Sequence, residues 1–290
     1  MMAREQINII NSDNDTININ DGVIFFTVFG RIGFEMAQFN ISSVPTWIDG
    51  GSQLEAVTVL DGQVTVPIYI YKASSHEDLS DEIRTLAGHV NPIGKSEVTI
   101  QRIREDADTR ELTCIYNGGM AVMEETGVYA RVDMAFTAND PYWYAASATT
   151  DTYETGTPAT FFPFFPMRLS SSTIFASPVI NNTGQVRTWP IWTITGPGID
   201  PVFKNLSTDK TLAINRITTT IGAGETLTID TRKGIKTIKR NDGVSFFSNK
   251  TELSSLWPLE PGNNSVQLEL SGTSGASQVA ISYTLRNLTA

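Results

Sequence analysis

The chain has 290 residues with a formal net charge of −10, and 40% of its residues are hydrophobic against 18% charged. This composition excludes a disordered or fibrous chain, and the length predicts one large or two ordinary domains with β structure and long loops. No run approaches the roughly 20 apolar residues of a membrane-spanning helix, and the polar N-terminus lacks the apolar core of a signal peptide, so we expect no targeting or membrane segment.

Charge is distributed unevenly along the chain. Residues 1–143 contain 9 Lys and Arg against 21 Asp and Glu, a balance of −12, whereas residues 144–290 contain 12 against 10, a balance of +2. Tight binding to nucleic-acid phosphates needs clustered cations, so the acidic first half argues against a nucleic-acid-binding protein. It remains compatible with a wall along which DNA slides, because like charges repel.

Two segments of the first half alternate as half-buried β-strands do, namely residues 64–71 and residues 128–137. Pro67 lies inside the first segment and cannot donate a ladder hydrogen bond, which predicts an edge strand or a bulge. The apolar positions are Val64, Val66, Ile68 and Ile70 in the first segment and Val128, Ala130, Val132, Met134 and Phe136 in the second.

One helix is predicted between these strands, over residues 75–90. Ser74 and Glu77 have the spacing of a capping box, and Gly88 and Pro92 bracket the predicted end. An apolar stripe at helical spacing should lie against a sheet. The stripe consists of Leu79, Ile83, Leu86 and Val90.

The β pattern of the first half ends at a short motif, Asp140-Pro141-Tyr142-Trp143. Proline restricts the residue before it and cannot extend a ladder, so Asp140 and Pro141 should stop a strand. Tyr142 and Trp143 follow at the point where the acidic half of the chain ends. We therefore expect these two aromatic side chains to pin a seam between two domains.

Three regions follow from this seam: an N-terminal domain over residues 1–143, a linker over 144–172 and a C-terminal domain over 173–290. The linker is rich in Ser and Thr but contains Phe161-Phe162-Pro163-Phe164-Phe165-Pro166. So much aromatic surface would aggregate if exposed, so we expect it to pack against one of the domains.

The C-terminal region is predicted to be almost entirely β structure. Residues 190–195 alternate around Trp192, residues 226–230 and 235–239 have the pattern of hairpin arms, and two more alternating strands follow. Strands recurring every ~8–12 residues indicate a β-sandwich. The expected fold is mostly β, with an N-terminal β-sandwich-like domain that embeds one α-helix and a C-terminal β-sandwich.

Trp189, Trp192 and Trp257 leave two interpretations open. Aromatic faces stack on sugar rings, which would suit a carbohydrate-binding module. A sandwich core or a domain interface also takes tryptophan, and Trp192 alternates with apolar neighbours, which favours the core or interface.

Five cations fall within nine residues of the C-terminal region. Such a cluster could contact an anion, a nucleic acid or an acidic partner subunit. No aromatic residue interleaves it, which favours a solvated hairpin face over a nucleic-acid site. The five residues are Arg232, Lys233, Lys236, Lys239 and Arg240.

No pattern of a catalytic or metal site is complete. Cys114 lies in an apolar strand pattern and is expected to be a buried thiol in a protein made in a reducing cytoplasm. Neither His76 nor His89 has the second histidine of a zinc-hydrolase helix, and Gly94-Lys95-Ser96 precedes a strand instead of the helix that a phosphate loop needs. Asp13-Asn14-Asp15 matches only the start of a calcium loop. We expect no cofactor, metal or active site, although the carboxylate pair of a cell-wall hydrolase would be invisible in sequence.

Motifs in the two halves of the chain resemble those of the distal tail proteins of long-tailed bacteriophages. Each motif is weak by itself, and their order along the chain makes the resemblance specific. They are Phe136-x-Ala138-x-Asp140-Pro141-Tyr142-Trp143, Pro190-x-Trp192-x-Ile194-x-Gly196-Pro197 followed by Pro201-x-Phe203-x-Asn205, Gly224-Glu225-x-Leu227-x-Ile229-Asp230-Thr231, and Leu259-x-Pro261-Gly262-Asn263-Asn264.

The resemblance implies a structural virion protein, the hub between the tail tube and the tail tip or baseplate. It implies a homohexameric ring of N-terminal domains whose lumen lets DNA pass, and an outward C-terminal domain similar to galectin-like or carbohydrate-module sandwiches. The implied partners are the tail tube protein, a tail-tip or tail-associated protein, and receptor-binding proteins. A carbohydrate-binding module or adhesin on the host cell surface is the alternative function.

Overall fold

The computed structural model describes residues 5–27, 30–46, 50–71, 75–94, 97–106, 108–118, 120–126, 128–154, 159–162, 165–169 and 173–290. The chain forms two compact units. Domain 1 consists of Met1–Ala146 together with Asn287–Ala290, and domain 2 consists of Ser147–Arg286.

Domain 1 is built of β-strands around one α-helix. In chain order its elements are β1 Gln6–Ile10, β2 Thr16–Asn18, β3 Phe25–Thr27, β4 Phe39–Pro45, β5 Ser52–Val59, β6 Gly62–Tyr71, α1 His76–His89, β7 Val98–Ile103, β8 Thr109–Tyr116, β9 Ala121–Glu125, β10 Tyr129–Ala138 and β11 Trp143–Ala145.

One large sheet carries the core of domain 1, with the strand order β2-β1-β7-β8-β10-β6-β3. The predicted alternation in β6 and β10 is confirmed, because one face of each strand is buried. Val128 is the exception, since it precedes β10 and is 43% exposed. The buried side chains are Val64, Val66, Ile68 and Ile70 in β6 and Ala130, Val132, Met134 and Phe136 in β10.

Pro67 does not mark an edge strand, because β6 lies between β10 and β3. The amides of Thr65 and Tyr71 donate toward the β3 side, to the carbonyls of Ile32 and Ile24. Pro67 has the same parity, so its missing N–H falls on that side too. Among the described residues, the pairing with β3 reaches only as far as Ile68, so the proline interrupts none of those ladder bonds.

Helix α1 confirms the predicted apolar stripe. Leu79, Leu86 and Val90 are fully buried, and Ile83 packs against the same core. The N-cap is Ser75, whose Oγ accepts a hydrogen bond from the Asp78 amide at 3.2 Å. The predicted cap therefore shifts by one residue, and Ser74 lies outside the described residues.

His89 ends α1 as a buried, hydrogen-bonded side chain. Its Nε2 donates to the Ile9 carbonyl at 2.9 Å, and its Nδ1 accepts from Asn11 Nδ2 at 3.3 Å. The imidazole thus ties the helix end to β1 and to the turn after it.

Domain 2 contains the remaining strands and a short 3₁₀ helix, Phe247–Asn249. Its strands are β12 Thr149–Glu154, β13 Ala159–Phe162, β14 Phe165–Leu169, β15 Thr173–Ala176, β16 Val179–Asn182, β17 Ile191–Thr195, β18 Gly198–Asn205, β19 Lys210–Ala213, β20 Thr220–Ile221, β21 Thr226–Asp230, β22 Thr237–Arg240, β23 Gly262–Ser271, β24 Gln278–Tyr283 and β25 Arg286–Asn287, the last of which crosses the domain boundary.

Two sheets of domain 2 enclose one apolar core, as a sandwich does. One sheet has the order β12-β24-β17-β21-β22, and the other has the order β15-β23-β18-β19 with β16 and β20 attached to it. Trp192 and Ile229 from the first sheet and Phe203 and Leu268 from the second share the core. The predicted mostly-β fold with an embedded helix and a C-terminal sandwich is confirmed.

A buried asparagine closes the loop at the start of β23. Asn264 Oδ1 accepts from the Glu260 amide at 3.0 Å and from Asn205 Nδ2 at 3.4 Å. Its Nδ2 donates to the carbonyls of Glu260 at 2.8 Å and Gly262 at 3.0 Å. The predicted turn at Pro261-Gly262-Asn263 is thus held from inside by the residue that follows it.

The predicted linker over 144–172 contains ordered strands. β12 pairs with β24 along its whole length, and its polar, Thr-rich sequence suits an edge strand of the first sheet. β13 and β14 pair as a separate hairpin. We predicted that the aromatic segment 161–166 packs against one of the domains. That prediction concerns residues and side chains outside the described part of the structure.

The last four residues belong to domain 1, where hydrogen bonds hold Thr289 and Ala290. Arg102 Nη1 donates to the Ala290 carbonyl and Arg110 Nη1 to the Thr289 carbonyl, both at 2.8 Å. The Ala290 amide donates to the Phe34 carbonyl at 2.9 Å.

Glu5 binds two guanidinium groups, one of which belongs to Arg102, the residue that also binds the Ala290 carbonyl. Its carboxylate accepts from Arg31 Nη1 at 3.0 Å and from Arg102 Nε. Burial by itself would raise the pKa of Glu5, but hydrogen bonds from Arg102 and Arg31 outweigh it and hold the pKa below its usual range.

Candidate assembly surfaces

Trp143, at the predicted domain seam, is a core residue of domain 1. Its side chain is fully buried, its Nε1 donates to the Gly33 carbonyl at 3.3 Å, and its ring lies 5.3 Å from that of Phe34. Gly33 has a φ of +89°, and a Cβ there would lie 2.4 Å from the Gln63 carbonyl oxygen. Only glycine fits this close approach.

The residues before Trp143 end β10 as predicted. Pro141 packs against Gly62, where a Cβ would come within 3.4 Å of it. Asp140 Oδ2 accepts a hydrogen bond from the Tyr144 hydroxyl at 2.6 Å, and Tyr142 is half-buried. The pinning of a domain seam by Tyr142 and Trp143 stays a prediction.

Trp192 lies in the core of domain 2. Its ring centroid is 4.4 Å from that of Phe203 and 5.8 Å from that of Trp257. Trp192 is 0% and Trp257 1% exposed, so neither offers a face to a sugar ring. The stacking hypothesis is therefore wrong for these two residues, and Trp189 is half-buried.

The cation cluster lies on the hairpin of β21 and β22, and domain 2 neutralises its two arginines. Arg232 pairs with Asp230 at 2.7 Å. Arg240 pairs with Glu225 at 3.0 Å and with Asp242 at 2.6 Å.

Three lysines of the cluster remain for a partner or an anion. Lys233, Lys236 and Lys239 are exposed, and no described residue forms an ion pair with them. A contact of these lysines with a partner stays a prediction.

The other candidate sites have structural roles. Cys114 is buried, and burial raises the pKa of its thiol to about 12. The segment Asp13-Asn14-Asp15 is a turn whose Asp13 and Asp15 amides donate to Asn11 Oδ1 at 2.9 and 3.0 Å. Lys95 and Ser96 lie outside the described residues. In the part of the chain that is described, no three His, Cys, Asp or Glu side chains are grouped as a metal site would require.

The described helices are all too short or too polar to cross a membrane.

The hairpin of β4 and β5 is exposed along both strands. Its register pairs Phe39 with Val59, Ile41 with Val57 and Ser43 with Leu54. Paired residues share a face and alternate along the strand, so these three pairs share one face of the ribbon. We call Phe39, Ile41, Leu54, Val57 and Val59 the apolar face of the hairpin.

The opposite face of the hairpin is mainly polar. It carries the pairs Asn40–Thr58, Ser42–Ala56 and Val44–Gln53, and Val44 is its one large apolar side chain. Ser42 Oγ donates to the Glu55 carboxylate at 2.8 Å, beside the bulge in β5. On the apolar face, Ile41 is 65% and Val57 50% exposed. Two strands whose apolar face stays uncovered are marginally stable, and among the described residues this face is largely exposed.

A second apolar surface of domain 1 is formed by four aromatic side chains of the large sheet. Phe26 pairs with Tyr69, and Tyr71 pairs with Tyr129, so two aromatic rows lie side by side on β3, β6 and β10. These four rings line a groove of about 440 Å³, which we call the aromatic groove. The rings of Tyr69 and Tyr129 lie 5.9 Å apart, and Tyr71 is 46% exposed.

Sequence reasoning missed both surfaces. The alternation Phe39-x-Ile41 and Val57-x-Val59 was the signal for the hairpin. The outward Tyr69 and Tyr71, on a strand whose other face is apolar, were the signal for the groove.

Comparison with known proteins agrees with the motifs. Residues 183–286 match the family described as siphovirus-type tail component, C-terminal domain. No curated protein sequence gives a match.

Two solved structures share the fold over nearly the whole chain. One is the Dit (gp 19.1) protein of phage SPP1, described as a hub of the adsorption apparatus, with a TM-score of 0.67 and 14% identity over 97% of this chain and 98% of that one. The other is a chain of the phage P2 baseplate in its activated conformation with Ca, with a TM-score of 0.55 and 10% identity over 98% of each chain.

The matched range includes the motifs between Pro190 and Asn264 that carried the resemblance. Both structural likenesses extend through domain 1 as well. Residues 183–286 therefore match the siphovirus-type tail component family, and the chain has the fold of the SPP1 Dit protein.

Proposed function

We propose that the chain is the distal hub of a siphovirus-type tail, where copies of domain 1 form a ring that joins the tail tube to the tail tip. The apolar face of the hairpin carries this proposal, because it needs a partner chain to cover it. Burying one large apolar side chain, aliphatic or phenyl, contributes about 1.5–3 kcal/mol. Five such side chains in each copy would stabilise an assembly substantially.

The proposed neighbours of the ring are the tail tube protein above it and a tail-tip or tail-associated protein below it. Receptor-binding proteins would attach outside. The SPP1 protein is described as a hub of the adsorption apparatus and the P2 chain comes from a baseplate, and both descriptions support this placement. Synthesis in the host cytoplasm belongs to the same proposal.

The charge of residues 1–143 supports a lumen through which DNA passes without being bound. Their 21 acidic residues exceed the 9 basic ones by 12. Like charge on the lumen wall would repel phosphates and keep DNA from adhering. Imaging of the assembled ring should place these carboxylates on the inner wall, and an acidic outer wall around a neutral lumen would contradict the lumen proposal.

The mass of the purified native protein tests the ring. Six copies of the 31.8 kDa chain give about 191 kDa, and light scattering coupled to size exclusion measures this directly. A single-chain mass at every concentration would contradict a self-assembled ring.

Two matched double variants test the role of the hairpin. Ile41→Asp with Val57→Asp places two charges on the apolar face, and Asn40→Asp with Thr58→Asp places the same charges on the polar face, one residue away. All four residues are exposed, so both variants should keep the thermal stability of the monomer. We expect only the first to fall to the single-chain mass, and equal masses for both variants would contradict the role of the hairpin.

A further inference from the structure

We infer that β12 is an assembly edge of domain 2, where it pairs antiparallel with β12 of a second copy of the chain. The strand ends the five-stranded sheet, and β24 pairs with all six of its residues from one side. No backbone hydrogen bond between described residues reaches β12 from its other side. Four of the six residues are exposed, so a second strand can approach this edge.

β12 lacks most of the features by which proteins protect an open edge. Such edges are usually very short, or they carry lysine, proline or a bulge. β12 spans six residues, Thr149–Glu154, contains neither lysine nor proline, and pairs with β24 without a shift of register. Its open side presents a row of backbone donors and acceptors, which the addition of a strand satisfies.

The side chains select one register for this pairing. Paired residues lie on the same face of a sheet, so two identical antiparallel strands must be centred on a residue, and only Asp151 or Thr152 pairs nearly the whole strand. The centre at Asp151 sets two carboxylates directly opposite each other, which is destabilising. The centre at Thr152 sets its hydroxyl against that of the second copy and places a hydroxyl opposite a carboxylate in every other pair. Those pairs are Asp151 with Tyr153 and Thr150 with Glu154, each formed twice.

The inward side chain at this edge also finds a partner in that register. Asp151 lies opposite the buried Ile281, on the face toward the core, where an unmatched charge at a sheet edge opposes pairing. The Tyr153 hydroxyl of the second copy can donate to its carboxylate. Burial and the neighbouring Asp151 carboxylate raise the pKa of Tyr153 to about 12, so the hydroxyl keeps the proton that it donates.

This contact is two-fold, with the same residues on both copies. Neighbours in a closed ring meet head to tail, through two different surfaces. The β12 contact therefore goes beyond the proposed ring and does not depend on it, because it joins copies that are not ring neighbours. It continues the five-stranded sheet across two chains and covers the open edge of each.

Single-cysteine variants test the register directly. The two Cα atoms at Thr152 should lie about 4.5–5.5 Å apart, within the range of about 4.4–6.8 Å that a disulfide spans. The two residues at Thr150 should lie four strand positions apart, roughly 13 Å, which is beyond that range. Thr152→Cys and Thr150→Cys are thus a matched pair, both exposed and on one face of one strand. The native Cys114 is 1% exposed and does not interfere.

The proteins are oxidised with copper phenanthroline and separated on a denaturing gel without reductant. Thr152→Cys should give a covalent dimer in at least about tenfold greater yield than Thr150→Cys, because only the thiols at the centre of the pairing are within reach of each other.

Two lysine variants test the same contact without a disulfide. Thr152→Lys sets two like charges opposite each other, whereas Thr150→Lys sets each lysine opposite a Glu154 carboxylate. The first should raise the dissociation constant of the β12 contact about fivefold, and the second should lower it. Light scattering over a series of concentrations measures both changes.

The outcomes separate this inference from the proposed ring. A Thr152→Cys thiol that forms no dimer and reacts fully with a maleimide overturns the inference, because the edge is then unpaired. Equal dimer yields from the two cysteine variants also overturn it, since they indicate random collision. Particles of ring mass that give either result leave the ring standing. A dimer specific to Thr152→Cys in protein that forms no ring supports the β12 contact while the ring fails.

Discussion

The buried asparagine at the start of β23 allows a quantitative test of what holds domain 2 together. Replacing Asn264 by Ala removes five hydrogen bonds, which now join it to Asn205, to both backbone groups of Glu260 and to the carbonyls of Gly262 and Ile180. Gly262 is exposed, so its carbonyl can accept a hydrogen bond from water instead. Asn205 is only 1% exposed, so its amide group would lose this partner without replacement. At about 1–3 kcal/mol for each buried group left unpaired, the expected loss of stability is about 2–4 kcal/mol.

Urea unfolding followed by tryptophan fluorescence measures this loss. Trp192 and Trp257 are buried in the core of domain 2 and report its unfolding. With a slope of about 2 kcal/mol per molar urea, the midpoint should fall by about 1–2 M without a change in slope. Asn264→Asp keeps the size of the side chain but loses both amide donors, so it should be destabilised as well.

The neighbouring Asn263 is the matched control. It occupies the same turn but is exposed, so Asn263→Ala should change the free energy of unfolding by less than about 0.5 kcal/mol. If Asn264→Ala shifts the midpoint no more than Asn263→Ala does, the asparagine does not hold this loop and the reasoning is refuted.

Three further predictions concern domain 1. Glu5 has a lowered pKa in the folded chain, so its stabilising effect is complete above the ordinary carboxyl value of about 4.3 and is lost as the pH falls through the lower folded value. Urea curves should show Glu5→Gln less stable than the native chain by about 1 kcal/mol at pH 7, because solvent screens these partly exposed ion pairs, and the difference should disappear in acid. A difference that does not depend on pH would refute this. Gly33→Ala should lower the melting temperature more than Gly30→Ala, because both have positive φ but only Gly33 would place a Cβ against the Gln63 carbonyl, and equal shifts would rule out the clash. Cys114 should not react with a thiol reagent at pH 8 until the chain is unfolded, when one equivalent should react, and rapid labelling of the native protein would contradict its burial.

Local patterns were enough to predict the regular elements. The alternation in β6 and β10 and the stripe on α1 each reflect one buried face, and a buried face leaves a period in the sequence. The cap shifted only from Ser74 to Ser75, because either serine could supply the oxygen. The turn at Pro261 and Gly262 could likewise be predicted from its residue types.

Contacts between distant residues could not be predicted in this way. His89 is bonded to Ile9 and Asn11, and Arg240 to Glu225, and no local pattern reveals which side chains meet. The hairpin of β4 and β5 also shows what a local pattern cannot predict. Its alternation indicates two unlike faces, but the sequence cannot tell whether the chain covers the apolar one itself.

The return of the chain to domain 1 has a consequence for proteolysis. A protease that cuts once after Ala146 would leave residues 147–290 attached, because residues 287–290 stay bound by Arg102, Arg110 and Phe34. The nicked protein should therefore run as two fragments on a denaturing gel and still migrate as one particle in native conditions. Domain 2 is an insertion between two segments of domain 1. Cleaving one of its two connections therefore does not release it.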